Sequence, residues 1–161
     1  MSDWTEFERH CMDVAIRHAA EAAAQGEVPV GAVLAREGRI LAAAGNEVER
    51  RNCALAHAEM RVLEMASIEE GRYGIAGTTL YVTLEPCPMC AGALVAARVE
   101  SLIFGTRDAR FGGCRSKYRI TEDFRLNHRL NVREGLAAET CSRMLIDFFR
   151  QRRLHPGAGS G

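Results

Sequence analysis

Apolar positions recur at helical spacing from the start of the chain. Trp4, Phe7, Cys11, Val14, Ala15, His18 and Ala22 share one face, which predicts an amphipathic helix over residues 4–25, ended by Gly26. The period then shortens. Val28 to Ala35 and Ile40 to Ala44 are short apolar runs joined by Arg36-Glu37-Gly38-Arg39, a pattern that predicts a hairpin. Residues 45–52 read as a polar loop, and residues 54–66, rich in Ala, Leu, Met and Glu, as a second helix. Gly71, Gly74 and Gly77 precede a strand over 78–84, a helix over 88–98 and a strand over 99–104. Strand, helix and strand in that order favour a parallel crossover. Residues 105–130 are rich in Gly and Arg with weak periodicity, and so long a loop in a compact domain marks function. A short strand over 130–133 and a last helix over 136–153 follow, the latter with Ala137, Cys141, Met144, Leu145 and Phe148 on one face. This order predicts an α/β sandwich on a mixed sheet.

The chain of 161 residues suits one domain. We assign residues 1–154 to it and expect 155–161, a Gly- and Ser-rich stretch, to be a disordered tail. The sequence shows neither a basic-then-apolar leader nor an apolar run near the roughly 18 residues of a membrane span. Six cysteines are scattered except for one close pair. That usage predicts reduced cytoplasmic thiols plus a metal pair, and no disulfide framework.

Two short stretches carry chemistry: His57-Ala58-Glu59 and Pro86-Cys87-Pro88-Met89-Cys90. One imidazole and two thiolates hold zinc with a fourth tetrahedral position left for water, which makes a site catalytic. Alone, C-x-x-C is as much a redox pair or half a structural zinc site, and H-x-E on a helix says little. Together, with proline ahead of the first cysteine, they form the recognised signature of zinc-dependent nucleobase deaminases. Cys87 and Cys90, three residues apart at a helix start, place both sulfurs on one side. The helix N-terminus favours their thiolates. His57, near the start of another helix, closes the site from the opposite side. Glu59 lies two residues on and points at the open position, where it can carry a proton from water to the substrate. One Zn2+ per subunit and no organic cofactor are expected. Cys11 and Cys141 read as core residues, whereas Cys53 and Cys114 receive no role.

Net charge is zero but unevenly spread. Residues 1–97 hold 8 basic and 14 acidic groups, and residues 98–161 hold 13 basic and 7 acidic. The basic excess is nearly all arginine: Arg107, Arg110, Arg115, Arg119, Arg125, Arg129, Arg133, Arg150, Arg152 and Arg153. Such a skew fits either a solvated surface or a polyanionic substrate, and the planar guanidinium suits phosphate. Beside the zinc motif, the second reading gains weight.

Longer stretches carry a resemblance. Glu27-Val28-Pro29-Val30-Gly31-Ala32-Val33, Thr83-Leu84-Glu85-Pro86-Cys87, Phe104-Gly105-Thr106-Arg107-Asp108, Asn127-His128-Arg129 and Asp147-Phe148-Phe149 resemble the bacterial tRNA-specific adenosine deaminases, a branch of the cytidine-deaminase-like enzymes. The resemblance implies a three-layer α/β/α sandwich around a five-stranded mixed sheet. It implies hydrolysis of the wobble adenosine of a tRNA anticodon stem-loop to inosine, by a homodimer. It further implies that Asn46 hydrogen-bonds the flipped base, that Ala58 and Pro86 line its pocket, and that Asp108 lies near the loop backbone. Phe149 and Arg152 fall on a C-terminal helix that meets loop nucleotides; for Phe148, on that helix's apolar face, a core role is equally open. Phe111 to Arg119 departs from the family by being more basic. That run adds phosphate contacts or changes which RNA loops are accepted. A deaminase of free bases and a non-catalytic RNA-binding module with structural zinc remain as alternatives, opposed respectively by the arginine excess and by Glu59.

Overall fold

The computed structural model describes residues 3–156, so residues 157–161 of the expected tail lie outside it. The first helix, α1 (Glu6–Ala24), is started by a capping box. Thr5 Oγ1 accepts the Glu8 N–H at 3.0 Å, and the Glu8 carboxylate accepts the Thr5 N–H at 2.9 Å. Such a cap is worth about 1 kcal/mol. The hairpin forms as predicted, from β1 (Gly31–Arg36) and β2 (Arg39–Gly45). β3 (Thr79–Leu84), α4 (Pro88–Ala96) and β4 (Ser101–Thr106) form the parallel crossover.

Two elements differ from expectation, and the long loop before the last strand is found as expected with one added turn. The loop after β2 contains a short helix, α2 (Val48–Arg51), closed by Asn52 in the left-handed conformation. Next, α3 (Ala58–Glu70) begins four residues later than its Ala-rich sequence suggests. The backbone before it is drawn into turns, with Ala56 N–H donating to Cys53 O and Glu47 N–H to Ala56 O, so tertiary hydrogen bonds override propensity. Finally, residues 107–130 are an ordered connection with a single 3-10 turn over Ile120–Glu122. It returns the chain to β5 (Asn131–Glu134), which pairs parallel to β4 without a crossover helix. α5 (Ala138–Leu154) ends the fold.

The sheet order is β2-β1-β3-β4-β5, with β1 antiparallel to both neighbours and the other pairs parallel. Alternation along the strands divides the core. Ala32, Leu34, Leu80, Val82, Leu102 and Phe104 face α3 and α4, whereas Val33, Ala35, Tyr81 and Ile103 face α1 and α5. A period of two in three neighbouring strands thus builds the three-layer α/β/α sandwich. Cys11 and Cys141 are buried in the α1/α5 layer as expected. Of the α5 face read from sequence, Cys141 is fully buried, while Met144, Leu145 and Phe148 are half-buried, because only the first turn of α5 seats on the sheet. No helix among the described residues is long and apolar enough to cross a membrane.

α1 lies directly on the β1 backbone. A Cβ at Gly31 would sit 1.8 Å from Ala15 O and 2.7 Å from Ala19 N, both rigid main chain. Gly31→Ala is therefore expected to force the helix off the sheet and cost about 3 kcal/mol. For a chain of this size that lowers Tm by roughly 6–12 °C. Thermal melts test it, and an unchanged Tm would mean that α1 is not held at this distance.

Candidate active site

Both helices on the inner face of the sheet begin at the same place. His57 is the N-cap of α3 and Cys87 the N-cap of α4, each with extended backbone and neither capping its helix through its side chain. Their side chains are thereby released toward each other. Pro88 occupies the first helical position of α4, where its missing N–H costs nothing, and Cys90 follows in the first turn. His57 Nδ1 lies 3.4 Å from Cys90 Sγ and 3.7 Å from Cys87 Sγ. A tetrahedral ion with bonds of about 2.05 Å to nitrogen and about 2.3 Å to sulfur separates such donors by about 3.6 Å. The three donor atoms, all within 4.8 Å of one another, therefore fit zinc.

The two thiols differ. A hydrogen bond from Cys90, opposed by burial and reinforced by His57, pulls the Cys87 thiol down to about 4. Donation to Cys87, together with burial, pushes Cys90 up. Without a cation, the proton stays on Cys90 and the thiolate falls to Cys87. A dication removes that proton too, because coordination deprotonates a thiol outright.

Glu59 is 4 % exposed and lines a cavity of about 420 Å³ together with His57 and Cys87. Burial raises its carboxyl to about 7, which suits a group that must take up and release a proton near neutrality. Asn46, Ala58 and Asp108 line the same cavity. Asn46 is oriented by its own loop: Oδ1 accepts the Val48 N–H at 3.3 Å, and Nδ2 donates to Val28 O at 3.4 Å, leaving a second amide hydrogen. Pro86 does not line the cavity. It is buried behind Cys87 with its carbonyl accepting the Gly113 N–H at 2.7 Å, and Pro88 takes its place on the wall. Asp108 Oδ1 is occupied by the N–H groups of Arg110 and Phe111. Phe149 and Arg152 stand apart from the cavity, in a shallow depression with Arg110 and Arg153. Phe148 is half-buried, packed edge-on to Phe149 at 5.4 Å with the Arg152 guanidinium 4.9 Å from its ring.

Two buried carboxylates escaped the sequence reading. Glu27 accepts the N–H groups of Glu49 and Arg50 at 3.0 and 2.8 Å, which fixes α2 as a wall of the cavity. Glu85 accepts the N–H groups of Asp108, Cys114, Arg115 and Ser116 and the Ser116 hydroxyl. Burial raises its carboxyl, but the bonds from Ser116 and the loop amides prevail and hold it below the usual carboxylate range. Each is an acidic residue inside an otherwise apolar stretch, the one signal that marked them. Cys114 sits buried beside this hub and Cys53 is exposed.

Half of the twelve arginines in residues 98–161 are paired with acidic groups within the protein. Arg107 and Arg115 pair with Glu134, Arg115 also with Glu122, Arg125 with Asp123, Arg133 with Glu8 and Arg152 with Glu49. Arg115, read from sequence as part of a basic phosphate-binding run, is a half-buried tie between the 3-10 turn and β5. Arg110, Arg129, Arg150 and Arg153 form no ion pair among the described residues.

The fold and this donor set define a zinc-dependent deaminase, and the sequence agrees. Residues 5–106 match the profile of the cytidine and deoxycytidylate deaminase zinc-binding region, and the chain belongs to that family. Within it the chain stands among the tRNA-specific adenosine deaminases. It is 45% identical to that of Bacillus subtilis (strain 168) over 142 residues, 88% of each protein. A solved structure from work on A-to-I editing by tRNA:A34 deaminases superposes with a TM-score of 0.82 at 39% identity, covering 84% of this chain and 99% of that one. A guanine deaminase from Nitrosomonas europaea shares the fold at 22% identity, with a TM-score of 0.76 over 87% of this chain and 83% of that one.

The raised carboxyl of Glu59 has a consequence for stability. The unfolded chain ionises Glu59 near its ordinary value of 4.5, while the folded chain resists until about 7. The cost to folding is absent below the lower value and fully present above the upper one. Zinc-free Glu59→Gln is expected to be more stable than the zinc-free parent at pH 8, by on the order of 3 kcal/mol, with no advantage at pH 4. Urea melts across that range check it. A difference independent of pH would show that burial does not hold the proton there.

Proposed function

We propose that this protein converts adenosine 34, the wobble nucleotide of a tRNA anticodon stem-loop, to inosine, consuming water and releasing ammonia. The observation that carries the reading is the meeting of His57, Cys87 and Cys90 at the wall of a cavity that buried Glu59 also lines. Membership of the tRNA-specific branch supports adenosine as the base. Zinc bound by the three donors supplies Lewis acidity, lowering the pKa of water from 15.7 toward about 7. Glu59 removes the proton from the attacking water, delivers it to the ring nitrogen beside the reacting carbon, and carries a second to the departing amine. Asn46 and Ala58 hold the base, and Pro86 sets the position of Cys87 from behind. Asp108, Phe149 and Arg152 belong to the surface that receives the loop. Residues 1–154 form the catalytic unit in this reading, and a reducing compartment such as the cytoplasm keeps its thiols available.

Zinc-loaded protein is expected to produce inosine from an anticodon stem-loop. Glu59→Ala is expected to lose at least 10²–10⁴-fold in rate while retaining one zinc per chain. Nucleoside analysis by mass spectrometry with metal quantitation reads both. Full activity of Glu59→Ala would remove the residue from the mechanism, and turnover of free guanine without turnover of RNA would overturn the substrate.

The same reading includes a homodimer. Leu55 before α3, Ile68 within it and Tyr73 after it are exposed, and Leu55 and Tyr73 border an apolar depression that reaches Ala93 and Ala97 of the α4 segment. Exposed apolar surface of this kind serves association. Sedimentation equilibrium is expected to return twice the 17.7 kDa chain mass; a single-chain mass at micromolar concentration would rule the dimer out.

A further inference from the structure

Phe111 lines the catalytic cavity and is yet 62 % exposed, so packing does not account for an aromatic ring at this position. Its backbone, by contrast, is tightly held. Asp108 Oδ1 accepts the N–H groups of Arg110 and Phe111 at 3.0 and 3.1 Å, the Asp108 carbonyl accepts that of Gly112 at 2.9 Å, and Glu85 holds the Asp108 N–H. The next two residues press against the metal-bearing segment. A Cβ at Gly112 would meet Glu85 Oε2 at 2.3 Å, and one at Gly113 would meet Pro88 N at 2.8 Å. The ring therefore stands on a fixed stretch of backbone, so that little main-chain freedom is lost when something settles on it.

Its neighbour connects two surfaces. The Arg110 guanidinium lies 5.8 Å from the Phe111 ring centre and also borders the depression lined by Phe149, Arg152 and Arg153. Arg110-Phe111 thus bridges the cavity that takes the reacting base and a basic, aromatic surface outside it. A base turned out of an RNA loop leaves its neighbours unstacked. Aromatic side chains accept such bases whatever their identity, and guanidinium groups pair with the phosphates between them.

We propose that Phe111 is the stacking platform for the nucleobase next to the one deaminated, with Arg110 at the phosphate that joins them. The inference rests on the RNA substrate of the preceding section. Phe111→Ala is expected to raise KM for an anticodon stem-loop about tenfold, the order of one lost stack, with most of the loss in KM rather than kcat. Phe111→Trp is expected to restore it. An abasic nucleotide beside the reacting adenosine is expected to raise KM for the parent protein but to add nothing in Phe111→Ala. Equal zinc content and Tm in all variants show that the fold is kept. The proposal is overturned if Phe111→Ala has the parent KM, or if its loss multiplies independently with that of every abasic position. Failure of the parent protein to convert the stem-loop would overturn the substrate reading and this inference with it. An active parent with an unaltered Phe111→Ala overturns the inference alone.

Discussion

Three donor atoms must come within bonding distance of one ion, and the architecture of this protein follows from how that convergence is achieved. His57 and Cys87 are both N-caps, placed where α3 and α4 begin on the same face of the sheet. Both helices are seated on that face by the same apolar cluster, so the packing that stabilises the fold also sets the donor distances. Helix N-termini carry unpaired N–H groups and a partial positive charge, which favour a nearby thiolate. Cys87, half-buried, is drawn down by the hydrogen bond from Cys90, and buried Cys90 is pushed up; coordination by a dication would deprotonate both.

Around this centre the walls are held by buried carboxylates. Glu27 anchors α2 by accepting two backbone N–H groups, and Glu85 anchors the loop after β4 by accepting four. A carboxylate is the economical partner for a cluster of converging amides, since it offers about four acceptor sites and charge-assisted bonds are about twice as strong as neutral ones. The loop can then be irregular, lie against the metal-bearing segment through Gly112 and Gly113, and still be rigid. Glu59 uses burial differently: it has fewer donors, and its proton is held near neutrality.

The charge distribution carries a related lesson. A basic second half suggested a broad phosphate surface, yet Arg107, Arg115, Arg125, Arg133 and Arg152 are paired with acidic groups in the fold. Glu134 alone receives two of them. Among the arginines left unpaired, Arg110 and Arg153 meet Phe149 in a small basic surface beside Phe111.

The amino-acid sequence by itself determined the local periods, the hairpin, the parallel crossover and the identity of the zinc donors with Glu59. Each is written in neighbouring residues: short apolar runs along β1, β3 and β4, helical spacing along α1, and ligands three positions apart at a helix start. Tertiary structure alone decided where α3 begins, that α2 exists, that Pro86 stands behind the cavity, and which arginines are spent on ion pairs. It alone brought Glu27 and Phe111 to the site from distant parts of the chain and turned Glu85, two residues before Cys87, onto the loop after β4. The physical reason is range. Periodicity and capping act over a few residues, whereas burial and ion pairing depend on which segments pack together, a choice made by the whole chain at once.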